Sequence, residues 1–126
     1  MILLDTHAWL WLNLNVSRLS PAAKSAVSRA DELAVAAISL WEVGMLESKG
    51  RIRLPQPLLT WLRKACAQPD LRLLPITPEI AAIGATLPVH GDPADRLIMA
   101  TAKHHACPLV TVDENITDAK IVETIW

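Results

Sequence analysis

Short, wholly apolar runs alternate along this chain with longer stretches whose apolar residues recur every three to four positions. The first kind predicts buried strands and the second amphipathic helices. Strands are expected at Met1 to Leu4, Leu33 to Ile38, Leu71 to Leu74 and Leu109 to Val112, with a short terminal strand at Lys120 to Glu123. Helices are expected from Thr6 to Leu14, from Ser20-Pro21 to about Asp31, from Ser39 to Ser48 before Gly50, and from Leu58 to Ala67. Two more run from Thr77-Pro78 to about Leu87 and, after a turn at His90 to Pro93, from Asp92-Pro93 to about Ala106. Ser20 and Asp92 each precede a proline, the pairing of a capping side chain with a first helical residue that needs no N–H donor. Strands alternating with helices predict an α/β domain with a mostly parallel central sheet flanked by helices.

The 126 residues suit a single domain spanning 1–126, since no linker-like or repetitive tract divides them. Hydrophobic residues make up 52% of the chain, and mean hydropathy is +0.29. Strands of a parallel sheet are apolar on both faces and absorb part of that surplus. The rest is expected on the surface, where it would meet a second copy, a partner chain or both. The net charge of -1 excludes a general polycation. Any attraction for nucleic acid must then be local or supplied by bound cations. Cys66 and Cys107 fit no zinc spacing and suit buried thiols in a reducing compartment, although a single disulfide stays open. Asp5 and His7 interrupt the apolar N-terminus, which argues against a signal peptide or membrane span and for a cytoplasmic protein.

The candidate chemistry lies in the acids. In open α/β sheets, ligands bind beyond the carboxyl ends of the strands, where strand order reverses. Asp5 follows the first strand and Asp113 the strand at Leu109 to Val112, while Glu42 and Asp95 fall in the first turns of predicted helices that begin on the same side. Each has an ordinary explanation alone. Ser39 and Glu42 have the spacing of a capping box. Asp92 can cap its helix, Asp95 can favour the helix dipole, and Asp113 can shape a turn. Together they would crowd one edge of the sheet. Unit charges about 4 Å apart repel by roughly 4 kcal/mol at an effective dielectric near 20. A divalent cation offsets that repulsion, and oxygen-only donors favour Mg²⁺ or Mn²⁺, as one or two ions. Such a site is suited to phosphodiester hydrolysis.

Four segments carry a resemblance that runs over nearly the whole chain: LLDTHAWLW, SLWEVGMLESKGRIRL, PVHGDPADRLIMATAKHH and LVTVDENI, in this order. They resemble PIN-domain ribonucleases, in particular the VapC-type toxins of bacterial toxin–antitoxin pairs. The resemblance implies a three-layer domain, a metal-binding acidic pocket made by Asp5, Glu42, Asp95 and Asp113, and cleavage of RNA. It places Asp92 beside the pocket as an outer acid or a helix cap, and Thr6, Ser39 and Thr111 as hydroxyls that shape it. Arg96 is expected to pair with a pocket acid or a phosphate. A small cognate antitoxin and a homodimer are the implied partners. Two rival readings remain, a phosphoacceptor signalling domain and a binding module without catalysis. The former wants paired acids after the first strand, where this chain has Asp5, Thr6 and His7. Lys49, Arg51 and Arg53 form a basic run that serves either as a solvated helix end or as a set of phosphate contacts. With no Phe or Tyr present, stacking on bases is left to tryptophan and histidine.

Overall fold

A computed structural model of residues 1–126 shows five parallel strands, β1 (Ile2–Leu4), β2 (Leu33–Ala36), β3 (Leu71–Leu74), β4 (Leu109–Val110) and β5 (Thr124–Ile125). Seven helices connect them: α1 (Thr6–Leu14), α2 (Pro21–Arg29), α3 (Ala37–Ser48), α4 (Leu58–Cys66), α5 (Pro78–Thr86), α6 (Pro93–His104) and α7 (Glu114–Ala119). The sheet order is β3-β2-β1-β4-β5, with every pair parallel. The chain therefore moves outward from β1 to β3, then crosses to the other side of β1 for β4 and β5. Strand order reverses between β1 and β4, and the crevice at their carboxyl ends is where such sheets place ligands.

β1 shows why three layers form. Side chains alternate across a strand. Ile2 and Leu4 enter one core with Trp9, Leu10, Val35, Val43 and Trp61, mainly between the sheet and α1 to α4. Leu3 enters the other, with Ala34, Leu74, Ile98, Met99 and Ile116, against α5 to α7. Both faces of the sheet are thus covered, as parallel sheets require. The expected apolar surplus is present at the surface as Trp41, Leu59, Val16, Leu73 and Ile76. Both cysteines are free, and no helix is long and apolar enough to cross a membrane.

Several boundaries depart from the sequence pattern. Ile38 belongs to α3 rather than to β2, because the strand passes directly into the helix at Ala37. The terminal strand lies at Thr124–Ile125, not Lys120 to Glu123, and α7 fills the interval after β4. A 3-10 turn at Val16–Arg18 bridges α1 and α2. The strand at Leu109 stops at Val110, yet Thr111 still donates its backbone N–H to the Ile125 carbonyl at 3.1 Å.

Candidate metal centre

Each acid is delivered to the crevice by a different local device. Asp5 ends β1 and caps α1, its Oδ1 accepting from the Ala8 N–H at 2.7 Å. Its Oδ2 accepts from the Thr111 hydroxyl at 2.5 Å, which ties the end of β1 to the end of β4. Asp113 caps α7 by accepting from the Asn115 N–H at 2.8 Å. Asp92 caps α6 by accepting from the Asp95 N–H at 2.8 Å. A cap uses only part of a carboxylate's acceptor capacity, so each of these residues keeps lone pairs for the crevice.

Glu42 is placed differently from the capping-box expectation. The N-cap of α3 is Ala36, which has no side-chain bond, so Ser39 and Glu42 lie inside the helix, three residues apart on one face. That face meets α1. The Thr6 hydroxyl donates to Glu42 Oε1, and its oxygen lies 2.9 Å from the buried Ser39 Oγ. Ser39 thus supports the pocket from behind instead of capping a helix.

The five acids line one cavity of about 430 Å³, together with Thr6, His7, Trp11, Leu46, Arg51, Ile98 and Val112. Carboxylate oxygens of Glu42, Asp92 and Asp95 all lie within 4.8 Å of one another. Asp92 is therefore both a helix cap and a member of the tightest cluster, a double role its sequence position could not separate. Asp5 and Asp113 line the same cavity outside this trio. Ser39 and Thr111 are fully buried and do not line the cavity.

The electrostatics follow from crowding. Burial raises the Asp95 carboxyl first, and the charges of Asp92, Asp113, Glu42 and Asp5 raise it further, to about 7. Burial also raises Asp5, against the opposing pull of the Thr111 hydroxyl, the Ala8 N–H and His7. No ion pair offsets the group; the structure's single salt bridge joins Arg72 to Glu32. The donor set is all oxygen, clustered and short of positive charge, which fits a hard divalent cation.

Arg96 corrects the expectation attached to it. Successive residues of a helix point about 100° apart, so Arg96 faces away from the cavity that Asp95 lines. Its guanidinium donates to the carbonyls of Gly84 (Nε, 2.9 Å), Leu87 (Nη2, 3.0 Å) and Ala85 (Nη2, 3.3 Å), and to that of Val89. It pairs with no acid. It fastens the end of α5 and the following turn onto α6, and that turn leads directly to Asp92. Gly84 permits the close approach, since a Cβ there would meet Leu97 Cδ2 at 3.1 Å.

The basic run has a divided fate. Lys49 and Arg51 line a smaller cavity of about 240 Å³ that adjoins the first and shares Glu42, Leu46, Arg51 and Asp92 with it. Arg53 lines neither cavity. The sequence pattern gave no means of choosing among the three cations, because the turn after α3 decides which way each points.

Comparison with known proteins agrees with this architecture. Residues 2–122 match the family model of the PIN domain. Ribonuclease VapC22 of Mycobacterium tuberculosis is 46% identical over 129 aligned residues, covering 99% of this chain and 98% of that protein. Among solved structures, FitAcB of Neisseria gonorrhoeae superposes with a TM-score of 0.67 at 25% identity, covering 98% of this chain and 96% of the other. VapC20 of Mycobacterium tuberculosis, described as a sarcin-ricin loop cleaving toxin, gives 0.71 at 15% identity with 98% of each chain covered.

Proposed function

We propose, because this chain belongs to the PIN-domain family, that it is a ribonuclease of the VapC type, hydrolysing RNA phosphodiester bonds with divalent cations held by its acidic cavity. The observation that carries this reading is the convergence of Asp5, Glu42, Asp92, Asp95 and Asp113 on one cavity with no cationic side chain paired to any of them. Glu42, Asp92 and Asp95 would hold the first ion, with Asp5 and Asp113 beside them. Mg²⁺ or Mn²⁺ bound there supplies neutralisation of the phosphodiester's developing charge and acidification of a water.

The chain's own groups do the rest. Thr111 and the Ala8 N–H hold both oxygens of Asp5, so its carboxylate cannot rotate away. Thr6 fixes Glu42 in the same manner. Asp95, with its carboxyl raised to about 7, holds a proton below that pH in the cation-free protein and would yield it on loading, so cation uptake strengthens as pH rises. Lys49 and Arg51 offer positive charge along the adjoining cavity, where flanking phosphates would pass.

A small cognate antitoxin is the proposed regulator in the cytoplasm. An apolar cavity of about 400 Å³ beside the active site, lined by Leu40, Trp41, Gly44, Met45, Leu58 and Leu62, supports a protein segment as its occupant. A homodimer is proposed on the remaining exposed apolar side chains, which no element of this chain covers. The test is to incubate pure protein with total cellular RNA, with Mg²⁺, Mn²⁺ or EDTA, and to map the new ends. Discrete ends that need the metal are expected. Cleavage that persists in EDTA, or intact RNA under every condition, would overturn the reading.

A further inference from the structure

One wall of the acidic cavity is aromatic. His7 and Trp11, a turn apart on α1, both line it, with ring centroids 5.6 Å apart. Trp11 is followed by Trp126 at 5.7 Å, and the Arg18 guanidinium carbon lies 4.7 Å from the Trp11 centroid. Trp11 is half-buried and acts as the middle rung. His7 is exposed, and Trp126 keeps 38% of its surface open. This ladder assembles residues from α1, the 3-10 turn and the segment after β5, in a chain whose five tryptophans and four histidines are its only ring-bearing side chains apart from proline.

The setting decides what such a ladder receives. Trp41 is more exposed than Trp126 and borders both the apolar cavity and the smaller one with Lys49 and Arg51, but it packs against no second ring. The His7–Trp11–Trp126 ladder instead begins inside the carboxylate cavity and carries an unpaired arginine. Partly exposed, mutually tilted rings beside a cation, adjoining a site proposed to take phosphate, match single-stranded RNA: bases stack on the rings and the cation follows the backbone.

We infer that the His7–Trp11–Trp126 ladder, with Arg18, is a stacking subsite for an unpaired RNA base next to the scissile phosphate. It rests on the ribonuclease reading and adds to it how the substrate strand is gripped. Trp126 and His7 receive the base, Trp11 holds them together, and Arg18, seated on Trp11, meets the backbone.

The test measures binding of a single-stranded oligoribonucleotide by fluorescence anisotropy, with Ca²⁺ replacing Mg²⁺ to suppress cleavage. A parallel series of the same RNA lacks one base at a time. Trp126→Ala should weaken binding of the intact RNA about tenfold, Trp126→Phe should restore most of it, and His7→Ala should cost less. One abasic position should weaken wild-type binding by a similar factor and add nothing to Trp126→Ala. Unchanged affinity in Trp126→Ala, or losses that multiply at every abasic position, would overturn the inference. Unchanged RNA affinity with an altered sedimentation coefficient would reassign the ladder to protein contact. Wild-type protein that neither cleaves nor binds RNA would instead remove the ribonuclease reading, and the ladder's role with it.

Discussion

Asp95 and Arg96 are neighbours on α6, and their surroundings could hardly differ more. Asp95 lies among four other carboxylates, its own carboxyl raised to about 7 by burial and like charge. Arg96 gives its donors to four backbone carbonyls at the α5–α6 corner. The corner is saturated with hydrogen bonds, while the cavity is left short of positive charge. A cation one residue away could have offset the acids had it pointed the other way. The difference teaches that the scaffold keeps the cavity rich in negative charge, and so open to an external cation, by turning the guanidinium next to Asp95 in sequence into part of its framework and leaving Arg51 on the rim without an acid partner.

The strongest way to test this contrast is Asp95→Asn. RNA cleavage in Mn²⁺ should fall by about 1000-fold or more, the scale expected when a group stabilising the transition state is lost. At pH 8, where the wild-type carboxyl is ionised, the metal-free variant should nevertheless resist urea better than wild type, since a repelled charge is gone. Reduced stability in that variant would mean that the acids are offset from within.

Arg96 should behave in the opposite sense. Arg96→Ala leaves four carbonyls without their donor and should destabilise the fold by about 2–3 kcal/mol. Arg96→Lys should recover only part, because an ammonium cannot reproduce the fork. Urea titration checks both variants. If Arg96→Ala instead raised cation affinity without loss of stability, the guanidinium would belong to the cavity after all.

The mildest test uses pH. An aspartate whose carboxyl is raised from 3.8 to about 7 in the folded state binds a proton that the unfolded chain has already released. Between these values the folded form is the better proton binder, so stability falls as pH rises. A fully buried group with that shift would contribute roughly 4 kcal/mol, and partial exposure reduces this to about 1–2 kcal/mol. Chelator-treated protein should therefore be more stable at pH 5 than at pH 8, and Asp95→Asn should flatten most of the slope. Thermal melts across pH would show an equal slope in both proteins if Asp95 were not its source.

Much of this arrangement was legible in the residues because it is local. Ser20-Pro21 and Asp92-Pro93 mark helix starts through their own backbone chemistry, and the structure begins α2 and α6 there. The apolar runs before Asp5 and Asp113 similarly mark strands entering the crevice. What escaped depends on distant partners. Glu42 fits a capping box by spacing, yet Thr6, 36 residues earlier, takes its carboxylate. Arg96 stands beside an acid in sequence, but the approach of α5 offers it carbonyls instead. The terminal strand expected at Lys120 to Glu123 lies instead at Thr124–Ile125, because pairing with β4 rather than any pattern within those residues fixes its position.

The bond from Thr111 to Asp5 spans 106 residues, and β1, laid down first, sits between β2, made soon after it, and β4, made much later. During synthesis at about 5–20 residues per second, a nascent chain lacking β4 has a central strand paired on one side only, with β2, and an Asp5 without its second donor. The crevice therefore has no existence in any shorter intermediate. Its appearance waits for β4, the distal segment that reaches back to the beginning.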